Sequence, residues 1–300
     1  MNTEINKENI LTKILQENCK KLLAEIINVF QKANIKWFVE CGTCLGAIRH
    51  NGFIPWDDDV DIYIAGTDYD KARDALKDNA LIEWHDQNTK EGYPFTFPKI
   101  CMKNTVIKER GVVNNNYQEG IYIDVFPLIE TNKGKIRNFF SEITRFYRYS
   151  LVRQYYMDFN SGFRKLISKI VRKIHNIKKV QNKMAKSYKK HRKGKKICLD
   201  SSVFWKHAKL SLNDFKEQTF VPFDDLLLPV PSGYENYLKM YYGNYMELPP
   251  EDKRVSVHNY TYLEINGKVI YSENLTINKS SENWLNIVKT VLFVELSPKS

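Results

Sequence analysis

The sequence predicts an α/β protein built around a mixed sheet, and three observations indicate this class. Residues 8–33 place apolar side chains at helical spacing, with lysine, glutamate and glutamine between them. Residues 35–128 then alternate short apolar stretches, typical of strands, with glycine, proline and one amphipathic helix. Residues 135–193 return to helical spacing, now with many basic residues between the apolar positions. We therefore expect the centre of the fold within residues 1–130.

Each element of this centre follows from a local pattern of apolar, glycine and proline residues. Pro127 is expected to end the last strand, because proline has no N–H to donate to a neighbouring strand. The predicted elements are a helix at 8–33, a strand at 35–40, a glycine-led turn into a short helix at 42–50, a strand near 59–64, a helix at 68–76, and strands at 93–102 and 120–128.

The remaining elements are predicted from turn and cap residues. The basic segment 135–193 should form two amphipathic helices that break at residues 160–162, which hold asparagine, serine and glycine. Ser232 and Glu235 have the spacing of a capping box, and Gly243 can end the helix that they start. Residues 262–271 have the pattern of a hairpin that turns on Asn266 and Gly267.

These elements divide the chain into three predicted parts. Residues 1–132 are expected to form the catalytic core, residues 133–197 a basic helical segment, and residues 198–300 a C-terminal part that completes the active site within the same domain.

The charge of the chain is unevenly distributed. The formal net charge is +11, yet residues 133–196 hold 21 lysines and arginines against two acids, a local balance of +19. The rest of the chain therefore carries a net charge of −8. We interpret this as an acidic body with one strongly basic segment, and each needs its own explanation.

Cysteine usage and hydropathy limit the class of protein. Five scattered cysteines suit reduced thiols, and Cys41 and Cys44, the only CxxC pair, lack the second pair expected of a zinc site. No stretch is long and apolar enough to predict a transmembrane helix, and the first 15 residues lack the apolar core of a signal peptide. We therefore expect a cytoplasmic protein.

The candidate site begins at "GFIPWDDDVDIYIAG", residues 52–66. If this stretch is extended, Asp57, Asp59 and Asp61 share one face, while Asp58, Val60, Ile62 and Ile64 lie on the other. So many carboxylates on one face repel each other unless a cation joins them. The alternative is a solvated acidic turn with no catalytic or binding role.

Two further stretches complete the candidate site. Gly42 and Thr43 start a helix, whose N-terminal N–H groups suit a phosphate. Asp124 lies on a later strand, with Tyr122 and Phe126 on its own face. Two acids on one strand and a third from a neighbouring strand can hold one or two Mg²⁺ ions with open positions. This combination is typical of phosphoryl or nucleotidyl transfer.

Three stretches also resemble a known family. "GTCLGAIRHNGFIPWDDDVDIYI" is similar to the signature of the LicD family, which includes the fukutin-type transferases. "EGIYIDVFPL" resembles the second block of that family, and "LPVPSGYENYLKMYYGNYMELPPEDKRVSVH" the third. The three blocks span residues 40–258 in the expected order, so the resemblance covers most of the chain.

The resemblance implies a nucleotidyltransferase fold of the polymerase-β type and transfer of a phospho-alcohol from a CDP-activated donor to a sugar hydroxyl, with release of CMP. Phosphorylcholine is the first choice of alcohol, and phosphoribitol, phosphoglycerol and phosphoethanolamine remain open. The acceptor would be a cell-surface glycan, such as lipopolysaccharide or teichoic acid, and could be lipid-linked.

Residue by residue, the resemblance makes Asp59, Asp61 and Asp124 the ligands of Mg²⁺ or Mn²⁺ and lets Gly42 and Thr43 contact donor phosphate. Asp57 has a less certain role, and either it or Asp124 could take the hydroxyl proton. Further candidates lie in the first and third blocks: Arg49 for phosphate, although a surface ion pair explains it equally well, and Arg254 and His258 for the diphosphate or the acceptor.

The basic segment 135–193 leaves three readings open. It could simply cover the core, contact an anionic membrane as a peripheral module, or bind nucleic acid. We rank the membrane above nucleic acid, because the acidic body would repel a polyanion, and we expect no nucleic-acid partner. The corresponding localisation is cytoplasmic, with peripheral contact at the inner face of the membrane.

Overall fold

A computed structural model of the chain describes residues 2–110, 116–131, 135–157, 162–189, 197–199 and 209–273. The first half has the predicted alternation of helices and strands. Its elements are α1 (Asn2–Lys32), β1 (Trp37–Val39), α2 (Cys41–His50), β2 (Asp61–Ala65), a 3₁₀ turn (Gly66–Asp68), α3 (Tyr69–Ala75), β3 (Ile82–His85), β4 (Lys99–Met102), β5 (Thr105–Glu109) and β6 (Tyr122–Thr131).

The second half adds helices first and antiparallel strands afterwards. Its elements are α4 (Lys135–Tyr156), α5 (Gly162–Ile174), α6 (Ile177–Tyr188), β7 (Ile197–Leu199), β8 (Lys209–Ser211), β9 (Gln218–Phe223), β10 (Leu226–Pro231), α7 (Tyr234–Tyr242), a 3₁₀ turn (Glu251–Lys253), β11 (Tyr260–Ile265) and β12 (Lys268–Ser272). Within the described ranges the fold is therefore α/β with seven α-helices.

The central sheet is mixed, as predicted. Its strands follow the order β1-β2-β6-β4-β3, and β7 joins β6 and carries β8. Only β2 and β6 pair in parallel, and the other neighbours are antiparallel. Two smaller sheets, β9-β10 and β12-β11-β5, flank it. The parallel pair β2–β6 lies inside the sheet, where both strands are buried.

Helix α1 covers this sheet with one apolar face. Its buried side chains recur at helical spacing, at Ile14, Leu15, Leu22, Leu23 and Ile26, and they join the main hydrophobic core. Burial of each such side chain stabilises the fold by about 1.5–3 kcal/mol before entropy is counted. The helix begins earlier than predicted, at Asn2.

The prediction that Pro127 ends its strand is wrong, and the register explains why. β6 continues to Thr131. Asp124 donates its N–H to the carbonyl of Val60, just before β2, whereas Val125 donates on the opposite side to the carbonyl of Pro98. By alternation Pro127 faces the same side as Val125, between the end of the β4 pairing and the start of the β7 pairing. Among the described strands, none pairs with Pro127 on that side, so its missing N–H breaks no hydrogen bond of the sheet.

The strand predicted at 93–102 is shorter in the structure. Only Lys99–Met102 pair as β4, and two prolines, Pro94 and Pro98, precede that pairing. Residues 93–97 instead form an aromatic loop in which Tyr93 donates its hydroxyl to the Phe97 carbonyl. Proline restricts the residue before it as well as itself, which disfavours a continuous ladder.

The basic segment forms three described helices, so the prediction of two is wrong. The extra break lies at Asn176, whose side chain accepts a hydrogen bond from Lys179 N–H at 3.1 Å and caps α6. The predicted break at 160–162 lies mostly outside the described residues, and α5 begins at Gly162. Asparagine is a strong N-cap, a signal that apolar periodicity alone does not report.

The C-terminal elements include one further correction. Gly243 ends α7 and the hairpin turns on Asn266 and Gly267, as predicted. Ser232, however, is not the N-cap of α7, because Gly233 precedes the helix and Ser232 donates its hydroxyl to the carbonyl of Asp214. None of the described helices has the length and apolar content needed to cross a membrane.

Candidate active site

Two adjacent strands bring Asp61 and Asp124 side by side. The parallel register of β2 and β6 pairs these two residues directly. Thr43 in α2 accepts a hydrogen bond from the Asp61 N–H at 3.0 Å, and Glu40 donates its N–H to the Asp61 carbonyl at 2.8 Å. The first residue of β2 is therefore held by the start of α2 as well as by its neighbouring strand.

The acids before Asp61 lie in an extended loop and not in the strand. β2 begins only at Asp61, so the prediction of a strand through Asp59 is corrected. Two loop carbonyls, of Ile54 and Asp57, accept hydrogen bonds from the amide of Gln16 in α1. The predicted alternation persists, since Asp58 is buried while Asp57 and Asp59 are only partly covered.

The electrostatics of the cluster follow from burial and from mutual repulsion. Burial and the carboxylate of Asp59 raise the pKa of Asp57 well above its usual range. Burial, followed by the charges of Asp59 and Asp124, likewise raises the pKa of Asp61 well above its usual range. Burial also raises the pKa of Asp59, and a nearby histidine opposes that effect. We call Asp57, Asp59, Asp61 and Asp124 the acid cluster.

Helix α2 starts against this cluster. A Cβ atom on Gly42 would lie 2.7 Å from a carboxylate oxygen of Asp57, so only glycine lets the two approach this closely. The positive end of a helix favours a negative neighbour. Gly42 and Thr43, both predicted site residues, are therefore in place, although Thr43 already uses its hydroxyl on Asp61.

Lys99 is the principal residue beside the acid cluster that was not among the predicted site residues. Its ammonium is buried and lies 2.9 Å from both Asp124 and Glu119. It also lies over the rings of Tyr122 and Phe95, at 3.2 and 4.2 Å from their centroids. Despite burial, the two carboxylates raise the pKa of Lys99 above its usual range. Lys99 therefore stays charged beside the acid cluster.

Glu119 was missed altogether. It precedes β6 and forms only an isolated bridge with Ile107, so no strand periodicity marks it. Lys99 could have been found from the sheet register, because it pairs with Asp124 across β4 and β6. That register depends on strand order, which the sequence did not provide.

Two residues of the third block, Ser256 and His258, contact Asp58 in the loop before β2. Both carboxylate oxygens of Asp58 accept hydrogen bonds, one from the Ser256 hydroxyl at 2.5 Å and one from His258 Nδ1 at 2.8 Å. The other ring nitrogen of His258 lies 3.7 Å from Asp59. Burial disfavours the imidazolium, but Asp58 and Asp59 outweigh it and raise the pKa of His258 to about 9. His258 is therefore positively charged at neutral pH.

The two arginine candidates lie at different distances from the cluster. Arg49 is in the last turn of α2, opposite to the end at Gly42, and donates to the carbonyls of Tyr245 and Glu247. Arg254 lies near the rim, where it donates to a backbone carbonyl and its guanidinium stands 5.9 Å from the ring of Trp56. The structure thus brings Arg254 near the loop of the acid cluster and uses Arg49 to hold the C-terminal part.

The acid cluster suits a hard divalent cation. Its donors are carboxylate oxygens, which Mg²⁺ and Mn²⁺ prefer, and burial among like charges makes them costly without a cation. Asp58, Asp59 and His258 also place ligand atoms within 4.8 Å of one another. Both oxygens of Asp58 are, however, already hydrogen-bonded. Among the described residues these three are the group whose ligand atoms lie that close together, so the carboxylates of the acid cluster would have to move closer to share one ion.

Comparison with known proteins agrees with the resemblance seen in the sequence. Residues 34–161 match the family model described as LicD/FKTN/FKRP, nucleotidyltransferase domain. The chain is 25% identical over 257 residues to the lipopolysaccharide cholinephosphotransferase LicD of Haemophilus influenzae. The aligned region covers 80% of this chain and 93% of that protein. An uncharacterised protein of Rickettsia prowazekii is 48% identical over 48 residues, 16% of this chain and 18% of the relative.

Proposed function

Because residues 34–161 carry a LicD-family domain, we propose that the protein transfers phosphocholine from CDP-choline to a sugar hydroxyl of a cell-surface glycan. The Haemophilus influenzae relative is named as a lipopolysaccharide cholinephosphotransferase, which supports both the phosphocholine and a glycan acceptor. Phosphoribitol, phosphoglycerol and phosphoethanolamine are the alternative groups on the same kind of donor. A cytoplasmic location supplies such activated donors and is part of the proposal.

The observation that carries the proposal is the convergence of the acid cluster at the start of α2. Carboxylates from one loop and two neighbouring strands lie together, Asp57 reaches the start of α2, and Lys99 and His258 add cations beside Asp124 and Asp59. Phosphoryl transfer is catalysed mainly by positioning and by compensation of charge, and this site supplies both.

The proposed metal ligands are Asp59, Asp61 and Asp124. A Mg²⁺ or Mn²⁺ ion bound there would neutralise the donor diphosphate and the charge that develops on it. Without a cation, three carboxylates would repel the donor, each pair by about 4 kcal/mol at 4 Å separation and an effective dielectric near 20. The protein fixes these ligands through Thr43, which holds Asp61, and through Lys99, which holds Asp124.

A side chain of the protein would accept the proton of the acceptor hydroxyl. The acceptor oxygen would form a new bond to the choline-bearing phosphorus while the bond from that phosphorus to the CMP oxygen breaks. The hydroxyl proton needs a base, and we assign this role to Asp57. Asp57 is not one of the proposed metal ligands, and a cation bound beside Asp59 would offset the repulsion that, after burial, raises the pKa of Asp57, so that its carboxylate could be ionised and accept the proton. Asp124 is the alternative, but it already pairs with Lys99 at 2.9 Å and is one of the proposed metal ligands.

Other residues would bind or orient the donor. We assign phosphate contact to the backbone at Gly42 and Thr43 and place Arg254 and His258 at the diphosphate or acceptor. Arg49 has a different role in this proposal, since its guanidinium holds the carbonyls of residues 245 and 247. For the choline group we propose an aromatic face, at Trp56 or Tyr241. Tyr122 does not suit this role, because its ring is buried and Lys99 lies over it.

Calorimetric titration with a panel of CDP-alcohols tests this proposal. We expect CDP-choline to bind in the presence of Mg²⁺ and to bind at least ten-fold more weakly in EDTA, with CMP released once a glycan acceptor is added. Equal affinity with and without the metal would contradict the role of the acid cluster. Tight binding of CDP-ribitol or CDP-glycerol, with none for CDP-choline, would retain the chemistry and change the substrate.

A further inference from the structure

Helix α5 exposes an apolar stripe that the proposed chemistry does not use. Phe163, Leu166, Ile170 and Ile174 are 75%, 55%, 47% and 68% exposed. Their spacing of three or four residues places them along one side of the helix. Single exposed apolar residues are common, but a continuous row on one helix is typical of a contact surface. We call these four residues the α5 stripe.

A row of lysines runs beside the stripe. Lys165, Lys169 and Lys173 are exposed and each precedes a stripe position by one residue, so the two rows are adjacent on the helix surface. Residues 162–189 contain no aspartate or glutamate. The charge of this surface is therefore not balanced by acids of its own segment.

The opposite side of α5 is fixed against its neighbour α4. Ser168 and Val171 are buried, the Ser168 hydroxyl bonds to Gln154, and Arg172 donates to the carbonyl of Tyr155 at 2.8 Å. These contacts set the rotation of the helix about its axis. The stripe and its lysines consequently face away from α4.

The segment is also attached to the core close to the acid cluster. The buried amide of Gln181 in α6 donates to the carbonyls of Tyr93 and Phe95 at 2.7 and 2.9 Å. The Phe95 ring lies under Lys99, which pairs with Asp124. A partner bound at the helical segment would therefore be held at a fixed position relative to the site.

We propose that the α5 stripe and its lysines dock the protein onto an anionic lipid bilayer. A row of aliphatic and aromatic side chains can enter the acyl boundary while adjacent lysines stay with anionic headgroups. A second copy fits less well, because two lysine rows would face each other. Nucleic acid would satisfy the lysines but leave the aliphatic row in contact with phosphates. The inference does not depend on the proposed chemistry.

Vesicle sedimentation with the full chain tests this docking. Phosphatidylcholine vesicles with about one third phosphatidylglycerol should bind the protein, and vesicles of phosphatidylcholine alone should bind it far less. Replacing Lys165, Lys169 and Lys173 with glutamine should weaken binding about 100-fold, since each lysine near an anionic surface contributes about five-fold. Replacing Leu166, Ile170 and Ile174 with serine should weaken it at least ten-fold.

Matched controls separate docking from net charge and from hydrophobicity in general. Lys77, Lys239 and Lys268 are exposed lysines outside the basic segment, and their glutamine triple variant removes the same charge. Phe220 and Leu227 are 59% and 60% exposed on another surface, and their serine double variant removes apolar area there. Both controls should bind vesicles within about three-fold of the parent, because neither touches the surface that docks.

Three results would overturn the inference. The first is a parent protein that fails to bind the anionic vesicles. The second is equal binding by the stripe variants and the parent. The third is a stripe variant that changes the oligomeric state in light scattering, which would assign the surface to a second copy. Circular dichroism of each variant checks that the helices persist.

Discussion

The acid cluster and the lysines beside the α5 stripe carry opposite charges, and they differ in how those charges are compensated. The acids of the cluster are partly buried, and residues from distant parts of the chain contact them, among them Gln16, Lys99 and His258. The lysines of α5 are exposed, and their segment contributes no acid to pair with them. One region is therefore closed around a defined site, whereas the other faces outward.

The difference indicates what each region binds. Buried charge is expensive, so the cluster persists only because nearby cations and hydrogen bonds hold it and because a metal and a diphosphate fit it. Exposed charge is well solvated, so the lysines of α5 need no internal partner and suit a broad surface. A specific small ligand belongs to the first region and an extended partner to the second.

The largest expected effect comes from breaking the cluster itself. Asp59→Asn or Asp61→Asn should lower the transfer rate on the order of 10³-fold or more, because an amide is a poorer ligand for Mg²⁺ than a carboxylate. The free energy of unfolding of the metal-free protein should stay equal or rise, since one repelling charge disappears. Steady-state kinetics and urea unfolding measure the two. Asp78→Asn, at an exposed position, is the control, and near-normal turnover by either cluster variant would refute the assignment.

The second effect concerns the buried cation of the same region. Lys99→Met should destabilise the fold by about 3–5 kcal/mol, because it leaves Glu119 and Asp124 buried without their common partner. Adding Glu119→Gln to that variant should restore part of the loss. Urea unfolding of both variants measures this. A single variant that unfolds within about 1 kcal/mol of the parent would mean that water or a metal already compensates the two acids.

The third effect is a dependence of stability on pH through His258. The pKa of this histidine is raised from 6.5 to about 9 in the folded protein. Its contribution is therefore fully present below pH 6.5 and is lost as the pH rises through about 9, with a total of up to about 3 kcal/mol. In EDTA, the difference in unfolding free energy between the parent and His258→Gln should shrink over that range. A difference that stays constant would show that His258 is not charged in the metal-free protein.

The fold class could be predicted from the sequence because it depends on local patterns. Apolar periodicity predicted α1, and the alternation at Asp58 and Val60 predicted a half-buried stretch. The Asn266-Gly267 pair predicted the hairpin. Errors occurred where a neighbouring strand or a cap decided the outcome. Pro127 is tolerated because of which strands lie beside it, and Asn176 divides a helix that apolar spacing alone would continue.

The site was predicted only in part for a related reason. The carboxylates of the acid cluster lie in two short stretches with clear alternation, so their proximity needed one assumption about neighbouring strands. Lys99, Glu119 and Ser256 come from three separate stretches, and only the folded sheet and the third block bring them to the acids. Long-range contacts of single polar residues leave no periodic signal in one sequence.

A fourth effect tests how firmly the two regions are joined. Gln181→Ala should destabilise the fold by about 1–3 kcal/mol, because the carbonyls of Tyr93 and Phe95 lose their donor in a buried place. Hydrogen exchange should increase in α6 and in residues 93–97 more than in β2. Lys183→Ala, at an exposed position of the same helix, is the control. Unchanged exchange in α6 would show that its other contacts, such as the Tyr188 hydroxyl on Thr96, suffice.

The smallest effect is a matched pair of glycine substitutions, one in each region. Gly42→Ala should leave stability nearly unchanged but lower turnover about ten-fold, because its Cβ would lie 2.7 Å from the Asp57 carboxylate and must push that flexible side chain away from its place. Gly162→Ala starts α5, where a Cβ meets nothing within 4 Å, so it should stabilise the fold by about 0.5 kcal/mol through better helix propensity. Steady-state kinetics and urea unfolding measure the turnover and the free energy of unfolding of both variants. If Gly42→Ala lost stability instead of turnover, Asp57 would be a fixed structural group, and the role of base would pass to Asp124.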